Sequence, residues 1–107
     1  MSIQKRSNCS WIGMAHVRPR EGNELLDGAL GAFVQVLALA ENEDDFIKQG
    51  ADLFSEYEFD VLEWVHVQNF EERKASSDVE KSLVMHAMQL SADNPIYLDE
   101  FQAYDSM

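Results

Sequence analysis

Residues 32–40 read Ala-Phe-Val-Gln-Val-Leu-Ala-Leu-Ala, a run in which Gln35 is the one polar side chain. A surface helix or a half-solvated strand would carry a polar stripe, so an element this uniformly apolar has to be covered on both faces. Phe33, Val34 and Val36 favour extended structure, and Glu41-Asn42 breaks the run at once. The segment is therefore read as a central strand, with a helix rich in Ala and Leu as the competing reading.

The flanking segments set the fold class. Residues 11–17 are apolar and β-compatible and end at Arg18-Pro19, which predicts a first strand. Residues 20–28 hold Gly22, Asn23, Asp27 and Gly28 without a sustained period, so they form a loop from which Leu25 and Leu26 can pack back. With no helix between them, the first two strands should be antiparallel. Asn42 suits a helix N-cap, and Glu43, Asp44 and Asp45 suit the positive end of the helix dipole. Phe46, Gly50, Leu53, Phe54 and Tyr57 then make one apolar stripe, which predicts a helix over residues 42–57. Gly50 on that stripe permits close approach to a sheet.

Residues 59–70 predict a third strand, with Val61, Glu63, Val65 and Val67 on one face and Leu62, Trp64, His66 and Phe70 on the other. A strand-helix-strand unit should make strands two and three parallel, by a right-handed crossover. A polar break at Glu71-Glu72-Arg73-Lys74 follows. Ser77 and Glu80 match a capping box, which predicts a second helix over residues 78–91 carrying Val79, Leu83, Met85, Ala87, Met88 and Leu90, stopped by Asn94-Pro95. Residues 96–98 read as a short fourth strand, but Tyr97, Phe101 and Tyr104 have the spacing of a helical turn. The expectation is one α+β domain over residues 1–107, of order β-β-α-β-α with room for a short final β. It has a small mixed three- or four-stranded sheet under two helices, and residues 1–9 as a flexible N-terminal segment.

Composition narrows the function. The chain has 107 residues, with 46% hydrophobic and eleven aromatic side chains, ample for an ordered core. Cys9 is the only cysteine, which excludes an intramolecular disulfide and a multi-thiolate zinc site and favours the cytoplasm. No signal-like apolar run is found near the start, and residues 29–40 are too short to span a bilayer, so no membrane role is expected.

The net charge of −12 is unevenly spread. Residues 1–40 carry four basic groups against three acids, and residues 41–107 carry four against seventeen. Such a field repels phosphate backbones, so direct nucleic-acid binding is not expected, whereas a basic protein surface would be attracted. Acidity also serves solubility alone. Within residues 41–60 eight carboxylates face Lys48 as the one cation. Asp45, Asp52, Glu56, Glu58 and Asp60 are the candidate partner-binding residues, because the helix and its exit should present them together.

Other chemistry has thinner support. His16, His66 and His86 lack the short spacings of a ligand cluster, so no metal or cofactor is expected. His16 and His66 would matter if the first and third strands brought them together. Cys9 has no local base or helix N-terminus to activate it. Glu63 is either a charge on an open sheet edge or a partner of Arg18, Arg73 or Lys48. Phosphate loops, serine elbows and dinucleotide motifs are absent.

The favoured reading is a small acidic module, of inhibitor or immunity type, that engages a basic protein. The alternative is a homodimeric structural or accessory subunit, its interface made by Trp11, Tyr97, Phe101 and Tyr104. A small enzyme or ligand-binding domain using His16 and His66 comes third.

Overall fold

The computed structural model describes residues 9–76 and 78–104. Along the chain come β1 (Cys9–Pro19), β2 (Gly31–Ala40), α1 (Glu43–Glu56), β3 (Phe59–Asn69), α2 (Phe70–Ser76), α3 (Lys81–Met88) and β4 (Ile96–Tyr104). The strands form one sheet in the order β3-β1-β2-β4, and every neighbouring pair is antiparallel. The α+β class holds, but the sheet is not mixed. β2 and β3 do run in one direction, as the α1 crossover demands, yet β1 lies between them and pairs with both. A crossover fixes relative direction and leaves adjacency open.

The apolar run of β2 is covered on both sides, as its composition requires. Val34, Val36 and Ala38 face α1, together with Ala15 and Val17 of β1 and the buried Phe46 and Phe54 of the helix. Leu37 and Ile12 face the opposite way, where Phe70 of α2 and Ala87 of α3 close a second, smaller cluster. The helices thus sandwich the sheet instead of sharing one face. Asn42 caps α1 as expected, its side chain accepting from the Asp45 amide at 2.8 Å.

Several sequence expectations are corrected. Glu71-Glu72-Arg73-Lys74, read as a polar break, and Phe70, read as the end of the third strand, are helical: the Asn69 side-chain oxygen accepts from the Glu71 amide at 2.8 Å and caps α2. Phe70 swings with that helix into the second cluster. The second expected helix is shorter than residues 78–91. It starts at Lys81 with Glu80 as a cap that makes no side-chain bond, and Ser77 lies outside the described residues. Val79, Leu83, Val84 and Leu90 pack inward, whereas Met85 and Met88 are exposed. The expectation for residues 1–8 also lies outside the described residues, and Cys9 opens β1.

Residues 96–104 are one strand, and Tyr97, Phe101 and Tyr104 do not share a face as a helical turn would require: Phe101 packs in the main core, Tyr97 against the second cluster. Val34 pairs with Phe101 and Val36 with Leu98, so β4 carries one extra residue at that step. The bulge makes the step from Leu98 to Phe101 three residues long and keeps both on the α1 face. Two further bulges lie in β3, between the partners of Ile12 and Met14 and between those of His16 and Val17. They bring Val61, Trp64 and Val67 onto the α1 face, where strict alternation would have separated them. All three bulges sit on edge strands, where an irregular backbone discourages further strand addition.

The aromatic groups that suggested a twofold interface pack within the chain. Trp11 and Phe101 lie against the main core. Tyr97 stacks on His86 with centroids 3.9 Å apart, and Tyr104 packs beside His16 and Phe33.

Candidate partner-binding site

The loop between β1 and β2 folds against the exit of α1. Asn23 organises it: its side-chain amide donates to the carbonyls of Tyr57 at 2.9 Å and Glu58 at 2.8 Å, and its oxygen accepts from the Leu25 amide at 2.9 Å. The Arg20 amide adds a bond to the Glu58 carbonyl at 2.9 Å. Between loop and helix end opens a groove of about 590 Å³, lined by Glu21, Gly22, Asn23, Glu24, Leu25, Glu56, Tyr57 and Glu58. Four of those eight are glutamates and none is basic. Leu25 is 68% exposed and Tyr57 49% exposed, so large apolar groups stand among the carboxylates.

Glu58 holds the turn in a left-handed conformation, φ 66°, directly after the helix. Glycine usually fills that position because a Cβ is strained there. Glu58→Gly is expected to raise stability by about 0.5–1 kcal/mol, less than the full left-handed strain because glycine also loosens the unfolded chain. A thermal melt showing lower stability would mean that the carboxylate itself holds the turn.

The five carboxylates singled out by sequence have separate fates. Asp45 is engaged locally: its side chain accepts from the Glu41 amide at 3.0 Å and from Gln49 at 3.3 Å. Asp52 pairs with Lys48 at 3.2 Å. Asp60 is held by Arg20 at 2.9 Å and lies 3.8 Å from Arg18. Only Glu56 and Glu58 reach the groove, where Glu21 and Glu24 join them from a loop remote in sequence. Those two glutamates were not singled out, because nothing local in the sequence shows that the loop folds onto the helix exit.

The histidines do not converge. β1 and β3 are neighbours, but the partner of His16 is Glu63, and His66 lies in the bulge opposite the step from Ile12 to Met14, φ 55°. His16 Nε2 is 2.6 Å from the Tyr104 hydroxyl, and its ring stacks on Phe33 at 4.4 Å. His86 is committed to its stack with Tyr97, whose phenol is raised above its ordinary value by burial first, then by the charge of Asp99, the hydrogen bond to it, and Glu100. Glu63 is exposed on the edge strand. The three cations considered for it make other contacts, Arg18 with Asp60, Lys48 with Asp52 and Arg73 with Gln68 and the His66 carbonyl. Cys9 is exposed and pairs across the sheet with Ala40.

Among the described residues no three His, Cys, Asp or Glu side chains are grouped to hold a metal ion, and no helix is long and apolar enough to cross a membrane. Comparison with protein-family models, with characterised proteins and with solved structures finds no match to this chain.

Proposed function

We propose that the chain is a small acidic protein-binding module, of inhibitor or immunity type, that engages a basic protein at the groove between the 20–28 loop and the exit of α1. One observation carries the reading: four glutamates from two distant segments line one open groove without a cation among its lining residues. Elsewhere on the candidate strip, Asp52 and Asp60 already have basic partners. Converging like charges repel one another by a modest amount in water, and a cationic partner relieves that repulsion as it binds. Such complementarity acts chiefly on the association rate and weakens with salt.

The test is a titration with a decaarginine peptide at low and at high salt, comparing wild type with two doubly substituted proteins of equal charge change. Glu56→Lys with Glu58→Lys alters the groove, and Asp93→Lys with Glu100→Lys alters exposed positions outside it. The groove variant should lose about tenfold in affinity at low salt and the control less than about threefold. Equal losses in both would show a diffuse field in place of a site, and the reading would fall.

A further inference from the structure

Beside the acidic groove, and sharing Leu25 with it, lies a second hollow of about 260 Å³ lined by Leu25, Leu26, Phe59 and Phe101. Its floor belongs to the fold: Phe59 is buried, and the Phe59 and Phe101 rings pack 5.4 Å apart beneath it. Its wall belongs to the 20–28 loop, where Leu26 packs inward and Leu25 stands 68% exposed on the rim. An apolar hollow next to several carboxylates has a definite complement. Water is released most favourably by a bulky apolar side chain, and the carboxylates favour a cation one or two residues away from it.

We infer that this hollow receives an apolar anchor residue of the basic partner, and that the partner's binding segment sets a large apolar side chain next to an arginine or lysine. The inference rests on the function proposed above and adds the chemistry of the occupant. Charge complementarity selects a basic segment over a second copy of this chain, which would bring its own net charge of −12 to the same rim. The hollow also lies where the loop is already pinned by Asn23, so little ordering is required on binding.

The probe is the capped dipeptide acetyl-Phe-Arg-amide, titrated into the 107-residue chain and followed by amide chemical shifts. Acetyl-Gly-Arg-amide and acetyl-Phe-Gln-amide serve as controls. The Phe-Arg probe should shift the amides of Leu25, Leu26, Tyr57 and Glu58 and bind about tenfold tighter than either control. Leu25→Asp separates the two contributions, because it removes apolar surface while adding negative charge. It should weaken the Phe-Arg probe to the level of Gly-Arg, whereas attraction by charge alone would hold or raise the affinity. Leu25→Gln, which leaves the charge unchanged, should behave like Leu25→Asp, and the same spectra report whether each variant is folded. Equal binding of Phe-Arg and Gly-Arg, or undiminished binding by Leu25→Asp, would overturn the anchor while leaving the acidic groove standing. Loss of every shift at the groove, with decaarginine insensitive to Glu56→Lys and Glu58→Lys, would remove the function on which the anchor rests.

Discussion

Replacement of Phe54 by alanine is expected to cost about 3–5 kcal/mol, a large part of the net stability of a domain this size. Phe54 is fully buried near the end of α1. Its ring meets Phe59 at 6.4 Å, Trp64 at 6.3 Å and Phe101 at 6.2 Å, so one side chain joins the helix to both edge strands of the sheet. The loss combines removed apolar surface with a cavity that rigid rings on three sides cannot close. Phe54→Leu keeps most of the volume and should cost about 1 kcal/mol. Urea unfolding with unchanged slopes would measure both. A loss below about 1 kcal/mol for alanine would mean that α1 is not seated on the sheet through this residue.

The parts of the fold legible in the sequence are those set by short-range patterns. The uniform apolarity of residues 32–40 shows that β2 is covered on both faces, and Asn42 with its following acids marks the start of α1. What escapes is what depends on distant partners. The placement of β1 between β2 and β3 follows from which strands pair, and a crossover helix constrains only their direction. The bulges at His66 and near Asp99 are single extra residues, visible only against the opposing strand. They mislead a reading based on strict alternation, which placed Trp64 opposite Val61 and Val67 although all three share the α1 face. At Glu71-Glu72-Arg73-Lys74 the charges that suggested a break are the solvated side of a short helix whose cap, Asn69, is also the last residue of β3.

The candidate site divides in the same way. Glu56 and Glu58 stand out because they belong to a dense acidic segment, whereas the cations that engage Asp60 come from the end of β1 and the loop after it, forty residues away for Arg20. Glu21, Glu24 and Leu25 enter through the fold of a loop whose hydrogen bonds run to backbone carbonyls of the helix exit, and a carbonyl acceptor leaves no mark in the sequence. Leu25 and Leu26 were expected to pack inward together, and only Leu26 does. The outward turn of Leu25 is what joins the acidic groove to the apolar hollow.

Gly50→Ala should be destabilising in the native background and stabilising once Trp64 is removed. In an exposed helix interior alanine is better than glycine by about 1 kcal/mol. At Gly50, however, an added Cβ would lie 2.5 Å and 2.7 Å from two carbons of the Trp64 six-membered ring. That ring cannot swing aside cheaply, because Phe46 meets it edge-on at 5.4 Å and Phe54 lies at 6.3 Å. Overpacking costs about 1–3 kcal/mol, and an approach of 2.5 Å puts this clash at about 2–3 kcal/mol, so after the propensity gain of about 1 kcal/mol, Gly50→Ala should lose about 1–2 kcal/mol. Trp64→Ala alone should lose about 3 kcal/mol, at the low end for a large ring because Trp64 is only half-buried. With the ring gone the added methyl meets open space and the helix propensity is recovered, so the double variant should be about 1 kcal/mol more stable than Trp64→Ala. Unfolding of all four proteins in urea would give a coupling of about 2–3 kcal/mol between the two positions. If alanine at position 50 stabilised both backgrounds equally, the close approach of α1 to β3 at Trp64 would be refuted, and the glycine would have no steric reason to be there.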